Sequence, residues 1–312
     1  MTPVEKMAAR LISRHKLKPP YDLIKLAEKY ATVEFCHFPI DADGITIGIG
    51  GGDEPQILIN SSAPETRKKF TLAHELGHVK IPWHTGTIVS HLDPIESSFE
   101  YREMEAEANK FAAELLMPTS WLIELEKNLV DVESLIKRIV LDSGVSRDAA
   151  LIKIFNTIKT SIICSEINSE GDVIKSYRST TAPTSARLAG RNVIEEEIFA
   201  TATSEEKFIL GDRIYKSWLF QDNKINEIDP RTWREILKQI LHETNCQQLL
   251  ASVNAVLPNQ YVSHKKKSEN EICSIVMQAY DGRGKYDQIV SHPLFPQYVI
   301  KRVKELAAKN RN

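Results

Sequence analysis

Phe70-Thr71-Leu72-Ala73-His74-Glu75-Leu76-Gly77-His78 is followed later in the chain by Glu103-Met104-Glu105-Ala106-Glu107-Ala108-Asn109. On an α-helix, residues four apart lie on one face, one turn from each other. His74 and His78 can therefore each aim a ring nitrogen at a single point about 2 Å away, as a zinc ligand pair does. Glu75 is rotated about 100° from His74. That direction suits it to a water beside the metal rather than to the ligand pair. Two imidazole ligands and one carboxylate general base are the physical content of the H-E-x-x-H spacing.

The flanking residues argue against two solvated histidines. Phe70, Leu72, Ala73, Leu76 and Val79 make the helix a buried one, and buried imidazoles need partners. Gly77 costs about 1 kcal/mol of helix propensity relative to Ala, which makes sense if something approaches the backbone there.

A third ligand is expected from the second stretch. Met104 to Met117 reads as a helix ended by Pro118, with a core stripe of Met104, Ala108, Phe111, Ala112, Leu115 and Leu116. Glu105 borders that stripe. Glu107 falls on a polar line with Lys110 and Glu114 that reads as solvated. Glu103 stands at the helix start, where a carboxylate often serves only the dipole. Glu105 is thus the expected ligand and Glu107 the runner-up. Asn109, one turn beyond Glu105, is placed to hydrogen-bond a ligating histidine.

Arg67-x-x-Phe70-Thr-Leu-Ala-His74-Glu-Leu-Gly-His78, then His84-Thr-Gly86, then Glu105-x-Glu107-Ala-Asn109-x-Phe111-Ala-Ala-x-Leu115-Leu-Met-Pro118 closely resembles the ImmA/IrrE metallopeptidases. Pro19-Pro20-Tyr21-Asp22-Leu23 and Leu26-Ala27-Glu28-Lys29-Tyr30 resemble the amino-terminal portion of that family. The likeness covers about residues 1–155. It implies a minimal zincin-like fold, and its Glu-x-x-x-Asn resembles the second half of a thermolysin-like zinc site, which favours Glu105. It also implies site-limited cleavage of a helix-turn-helix (XRE-type) transcriptional repressor, under stress or during mobile-element induction. The residues by themselves support a zinc metallopeptidase and no particular substrate. Two alternatives stand beside it: a non-proteolytic antirepressor with a structural metal site, and a DNA-binding regulator. The ligand types admit Mn2+ as well as Zn2+.

Bulk properties narrow the class. A chain of 312 residues suggests about two domains, and a net charge of −2 gives no global field to recruit nucleic acid. The 4 cysteines form no C-x-x-C pair and read as reduced thiols. No signal peptide and no long apolar run are evident. A cytoplasmic protein with no membrane segment is expected.

Read in order, the chain begins with helices over 3–17 and 22–30. Short strands follow at 33–38, 45–49 and 56–60, with a turn at Gly50 to Asp53. Ser61 or Ser62 is the expected cap of the His74 helix, and an edge of this small three-stranded sheet would hold an extended substrate. Trp83 to Tyr101 reads as a loop at the cleft. Within it His84 is a candidate donor to a developing oxyanion, Tyr101 a weaker substrate contact, and His91 a plain loop histidine. Residues 119–158 read as three helices. The last two resemble a helix-turn-helix, with Gly144 at the turn and Ser146 as cap. The second of these offers only Arg147 and Lys153 as basic residues, so packing or protein docking is favoured over base reading.

Beyond Thr160, strands at 161–167 and 173–178 flank an Asn168–Asp172 hairpin, and β-like material continues over 194–203 and 207–220. One long helix is expected over 232–256 and another over 293–309. Lys265-Lys266-Lys267 reads as a solvated loop that could join Arg283, Lys285, Lys301, Arg302 and Lys304 in a basic patch. The overall expectation is an α+β protein. It comprises a zincin-like domain over 1–118, a helical segment over 119–158, and a sensing or partner-docking α/β or α+β domain over 159–312.

Overall fold

The structure, a computed structural model, describes residues 1–52, 54–90, 98–182, 188–194, 202–220, 227–280 and 283–309. The chain divides into two units, Met1–Lys153 and Ile154–Asn312. Among the described residues no helix is long and apolar enough to cross a membrane.

The first unit opens with α1 (Pro3–His15), started by a reciprocal Thr2–Glu5 capping box, and α2 (Leu23–Ala27), capped by Asp22. Three strands follow: β1 (Thr32–Cys36), β2 (Gly44–Ile49) and β3 (Gln56–Asn60). Then come α3 (Glu65–Lys80), β4 (Gly86–Ser90) and α4 (Phe99–Leu116). The unit continues through α5 (Thr119–Glu126), α6 (Val132–Ser143) and most of α7 (Arg147–Thr157). The sheet is mixed, in the order β1-β3-β2-β4, with β1 parallel to β3 and the other pairs antiparallel. Against its face lies α3, which also packs along α4; α1 covers α4 from elsewhere.

The fourth strand corrects the expected loop over 83–101. The β-branched run Thr87-Ile88-Val89 suits a pleated surface, and Ile88 pairs with Thr46 on β2 while its side chain enters the core. Among the described residues the sheet therefore has four strands instead of three, and β4 forms one edge. The end of the supposed loop is also helical: Ser98 caps α4 by accepting from Tyr101 N at 3.2 Å. Helix α4 thus starts before Met104, so Glu103 is not at its first turn. His91 lies outside the described residues.

Ser61 and Ser62 do not cap α3. Pro64 occupies the N-cap position and no side chain bonds the first turn, so both hydroxyls lie too far upstream. The cost of Gly77 has a clear reason. A Cβ there would stand 3.2 Å from Phe111 Cδ1 and 3.4 Å from Ala108 Cα, so what approaches the backbone is α4.

Gly144 ends α6 in the left-handed region at φ 65°, and Ser146 Oγ accepts from Ala149 N at 3.3 Å. Lys153 is turned inward. Its Nζ donates to Glu114 Oε2 at 2.7 Å, and Glu114 is buried and also accepts from Thr119 N and Oγ1. Glu114 is therefore not part of a solvated line, and Lys153 is already committed to an internal ion pair.

Among its described residues the second unit has a four-stranded antiparallel sheet of β5 (Ser161–Ile167), β6 (Val173–Arg178), β7 (Ser204–Leu210) and β8 (Arg213–Phe220), ordered β6-β5-β8-β7. The helices are α8 (Trp233–Glu243), α9 (Leu250–His264), α10 (Glu269–Tyr280), α11 (Asp287–Val290) and α12 (Phe295–Lys309). They bury an apolar cluster of their own. The long helix expected over 232–256 is broken. Asn245 takes φ 52°, a conformation asparagine tolerates, and Cys246 N closes onto Leu241 O at 2.9 Å. Helix α10 is an addition, its stripe of Ile272, Cys273, Val276, Met277 and Tyr280 sequestered in the same cluster. Lys301 and Lys304 share Glu227, while Arg302 lies over the Trp233 ring and donates to Glu305 at 3.0 Å.

Candidate metal centre

Helix α3 presents His74 and His78 one turn apart, and α4 brings Glu105 across to them because Gly77 lets the two helices close together. His74 Nε2 and His78 Nε2 are 3.0 Å apart. Glu105 Oε2 stands 3.2 Å from the first and its Oε1 3.4 Å from the second. One ligand atom from each of the three lies within 4.8 Å of the others, and all three residues are buried.

Asn109 Oδ1 lies 2.9 Å from His74 Nδ1. An amide oxygen accepts, so His74 Nδ1 donates and its Nε2 keeps the lone pair. Among the described residues Glu105 Oε1 is buried with no hydrogen-bond partner, its 3.4 Å approach to His78 being too long to satisfy it. A lone pair, a carboxylate and a second imidazole nitrogen thus converge on one buried point. Such a set is relieved by a divalent cation, and two histidines with one glutamate fit zinc.

The charges agree with that. Burial pushes the pKa of Glu105 up, but His74 and His78 beside it prevail and hold it down at about 2. Burial lowers the pKa of His78 to about 4, which keeps its ring neutral. For His74 burial again opposes a charge, yet Glu105 and Glu75 outweigh it and raise the pKa. The cluster draws in positive charge.

Glu75 is fully buried, and burial raises its pKa against the pull of His74 and Thr46. Thr46 Oγ1, on β2, donates to its Oε2 at 2.5 Å, while among the described residues Oε1 has no hydrogen-bond partner. Gly44, on the same strand, makes room for that carboxylate: a Cβ there would meet Glu75 Oε1 at 2.4 Å. Neither Gly44 nor Thr46 stood out in the sequence, where Thr46 belongs to an ordinary short strand expected over 45–49 and Gly44 lies just before it.

The remaining expected residues are placed differently from one another. Glu107 points away from the three-residue cluster; its Oε2 accepts from Trp83 Nε1 at 2.6 Å and lies 3.1 Å from His84 Nε2. His84 is buried behind His78, with its Nδ1 2.8 Å from His78 Nδ1. That places it on the far side of the His78 ring from Glu105, so it does not face a reacting carbonyl as an oxyanion donor would. Tyr101 Oη donates to Val89 O on β4 at 2.5 Å.

Residues 33–155 match the family model of the IrrE N-terminal-like domain, Peptidase_M78. The chain is similar to "Uncharacterized immunity region protein 2" of Bacillus phage phi105, 27% identical over 158 residues, which are 51% of this chain and 93% of that protein. A solved structure described as a Mycobacterium tuberculosis transcriptional regulator aligns with 70% of this chain and 76% of its own, at TM-score 0.40 and 12% identity.

Proposed function

We propose, from the premise that residues 33–155 are an IrrE N-terminal-like domain of the ImmA/IrrE family, that this protein is a metal-dependent endopeptidase. The observation that carries the reading is the convergence of His74, His78 and Glu105 beside a buried carboxylate, Glu75, with one free oxygen. A divalent cation held by those three residues would polarise a peptide carbonyl and make water acidic enough to lose a proton near neutral pH. Zinc suits the ligands, with manganese the second choice.

The chain's own residues do the rest. Glu75 takes the proton of the attacking water on Oε1, while Thr46 holds Oε2 and fixes the carboxylate's orientation. The carboxylate then returns the proton to the leaving amine nitrogen. Its raised pKa suits a group that must both accept and release. The sheet edge at β4 offers main-chain groups to an extended substrate by strand addition, with Tyr101 beside it at the Val89 carbonyl.

For the substrate we favour a helix-turn-helix repressor, as the family likeness implies and as the phage immunity-region relative makes reasonable. The experiment is incubation of the full chain with the repressor encoded beside its gene, with and without a chelator, read by intact mass. Chelator-sensitive appearance of two fragments supports the proposal. An uncut repressor that nonetheless binds the protein would favour the antirepressor alternative. For DNA binding the α6–α7 pair offers little, since Lys153 is spent on Glu114.

A further inference from the structure

Trp83, Glu107, His84 and His78 form an unbroken chain of polar contacts ending at the candidate metal centre. We propose that Glu107, acting through His84, sets the tautomer of His78 and so presents the His78 Nε2 lone pair to the metal. The inference rests on reading His74, His78 and Glu105 as a metal site.

The argument starts at the outer end. Glu107 Oε2 accepts from Trp83 Nε1 at 2.6 Å and lies 3.1 Å from His84 Nε2, and with an acceptor oxygen opposite it that nitrogen carries the hydrogen. A neutral imidazole has one N–H, which leaves His84 Nδ1 as an acceptor. It stands 2.8 Å from His78 Nδ1, which must then be the donor. His78 Nε2 is left with its lone pair, aimed where His74 Nε2 lies at 3.0 Å and Glu105 Oε1 at 3.4 Å.

The opposite order of protons fails at Glu107. It would set the His84 Nε2 lone pair against a carboxylate oxygen, acceptor facing acceptor. His78 and His84 are 0% and 1% exposed, so water cannot repair the mismatch, and an unmade hydrogen bond inside a protein is costly. One half-exposed carboxylate therefore decides the protonation pattern of two buried rings. This is the carboxylate–histidine–metal arrangement extended by one imidazole. Glu107 and His84 are positioning residues: the runner-up ligand reaches the metal through two rings, not directly.

The test uses the full chain and zinc alone, competed against a chromophoric chelator, together with 15N spectra of histidine-labelled, metal-free protein. His84→Leu removes the acceptor for His78 and is expected to weaken zinc binding about 10- to 100-fold. His84→Asn restores an acceptor oxygen where Nδ1 stood and is expected to bind close to wild type. The spectra should place the single proton of His84 on Nε2 and that of His78 on Nδ1, and Glu107→Ala should shift both rings toward a mixture. The proposal is overturned if His84→Leu binds as tightly as wild type. It is equally overturned if His84→Asn is as weak as His84→Leu, or if His84 carries its proton on Nδ1. A wild-type chain that binds no zinc would sink the peptidase reading, while the tautomer measurement would still decide the relay.

Discussion

Gly44 and Glu75 are packed so closely that no side chain fits between them: a Cβ on Gly44 would stand 2.4 Å from Glu75 Oε1 and 2.7 Å from Thr71 Cγ2. Strand β2 thereby forms a wall against the carboxylate that the H-E-x-x-H motif supplies, and Thr46 on the same strand bonds its other oxygen. The sheet is more than a platform for α3; it fixes the direction of the proposed general base.

Gly44→Ala should accordingly displace Glu75 without touching the ligand set. Since a misplacement of about 1 Å can cost on the order of 100-fold in rate, we expect a loss of that size in peptide cleavage with zinc content unchanged. Cleavage at the wild-type rate would show that the close approach has no functional weight.

Glu75→Gln keeps size and shape but removes the basic oxygen. Loss of about 100- to 10,000-fold in cleavage is expected, with one equivalent of metal retained. A Gln variant that cuts its target as fast as wild type would remove Glu75 from the mechanism.

Glu105→Ala deletes one of the three proposed ligands, whereas Glu107→Ala leaves all three. Metal analysis at saturating zinc should find a full equivalent in the second protein and little in the first. Binding to the folded state at 100 times Kd stabilises by about 2.7 kcal/mol, so added zinc should raise the melting temperature of wild type and not of Glu105→Ala. A zinc-dependent rise in both would move the third ligand elsewhere.

In the second unit, Glu271 accepts from Lys159 at 2.8 Å and from Ser268 N at 3.0 Å. Burial works to raise its pKa, but these donors prevail and hold it at about 2. A folded-state pKa below the unfolded value means stability that is present above the ordinary glutamate range and lost as pH falls from there toward 2. Glu271→Gln should therefore be less stable than wild type at neutral pH, with the gap closing as the solution is acidified over that window. Thermal melts of both proteins across it provide the check. A gap that widens on acidification would contradict the assignment.

Helical period made much of the site legible in the sequence. A four-residue step sets His74 and His78 on one face, and the core stripe of α4 turns Glu105 inward with Asn109 one turn beyond. These are directions inside single elements, and local spacing determines them. The strands at 56–60, 161–167 and 173–178 were readable for the same reason, through alternation and turn residues. Where the reading failed, the deciding contact was remote. Strand β4 exists because β2 pairs with it, and Glu114 is buried because Lys153 returns to it.

By itself, then, the sequence determined which side chains could share a helix face and which chemistry they offer: two imidazoles, a base one residue along, and a second acidic helix. Only the tertiary structure decided that β2 closes on Glu75 through Gly44, and that Glu107 turns to His84 instead of the cluster. The physical reason is that periodicity along a helix orients a side chain relative to its own axis. Which distant backbone or ring it meets depends on how closely separate elements pack, and here that closeness is set at Gly44 and Gly77, where a side chain is missing.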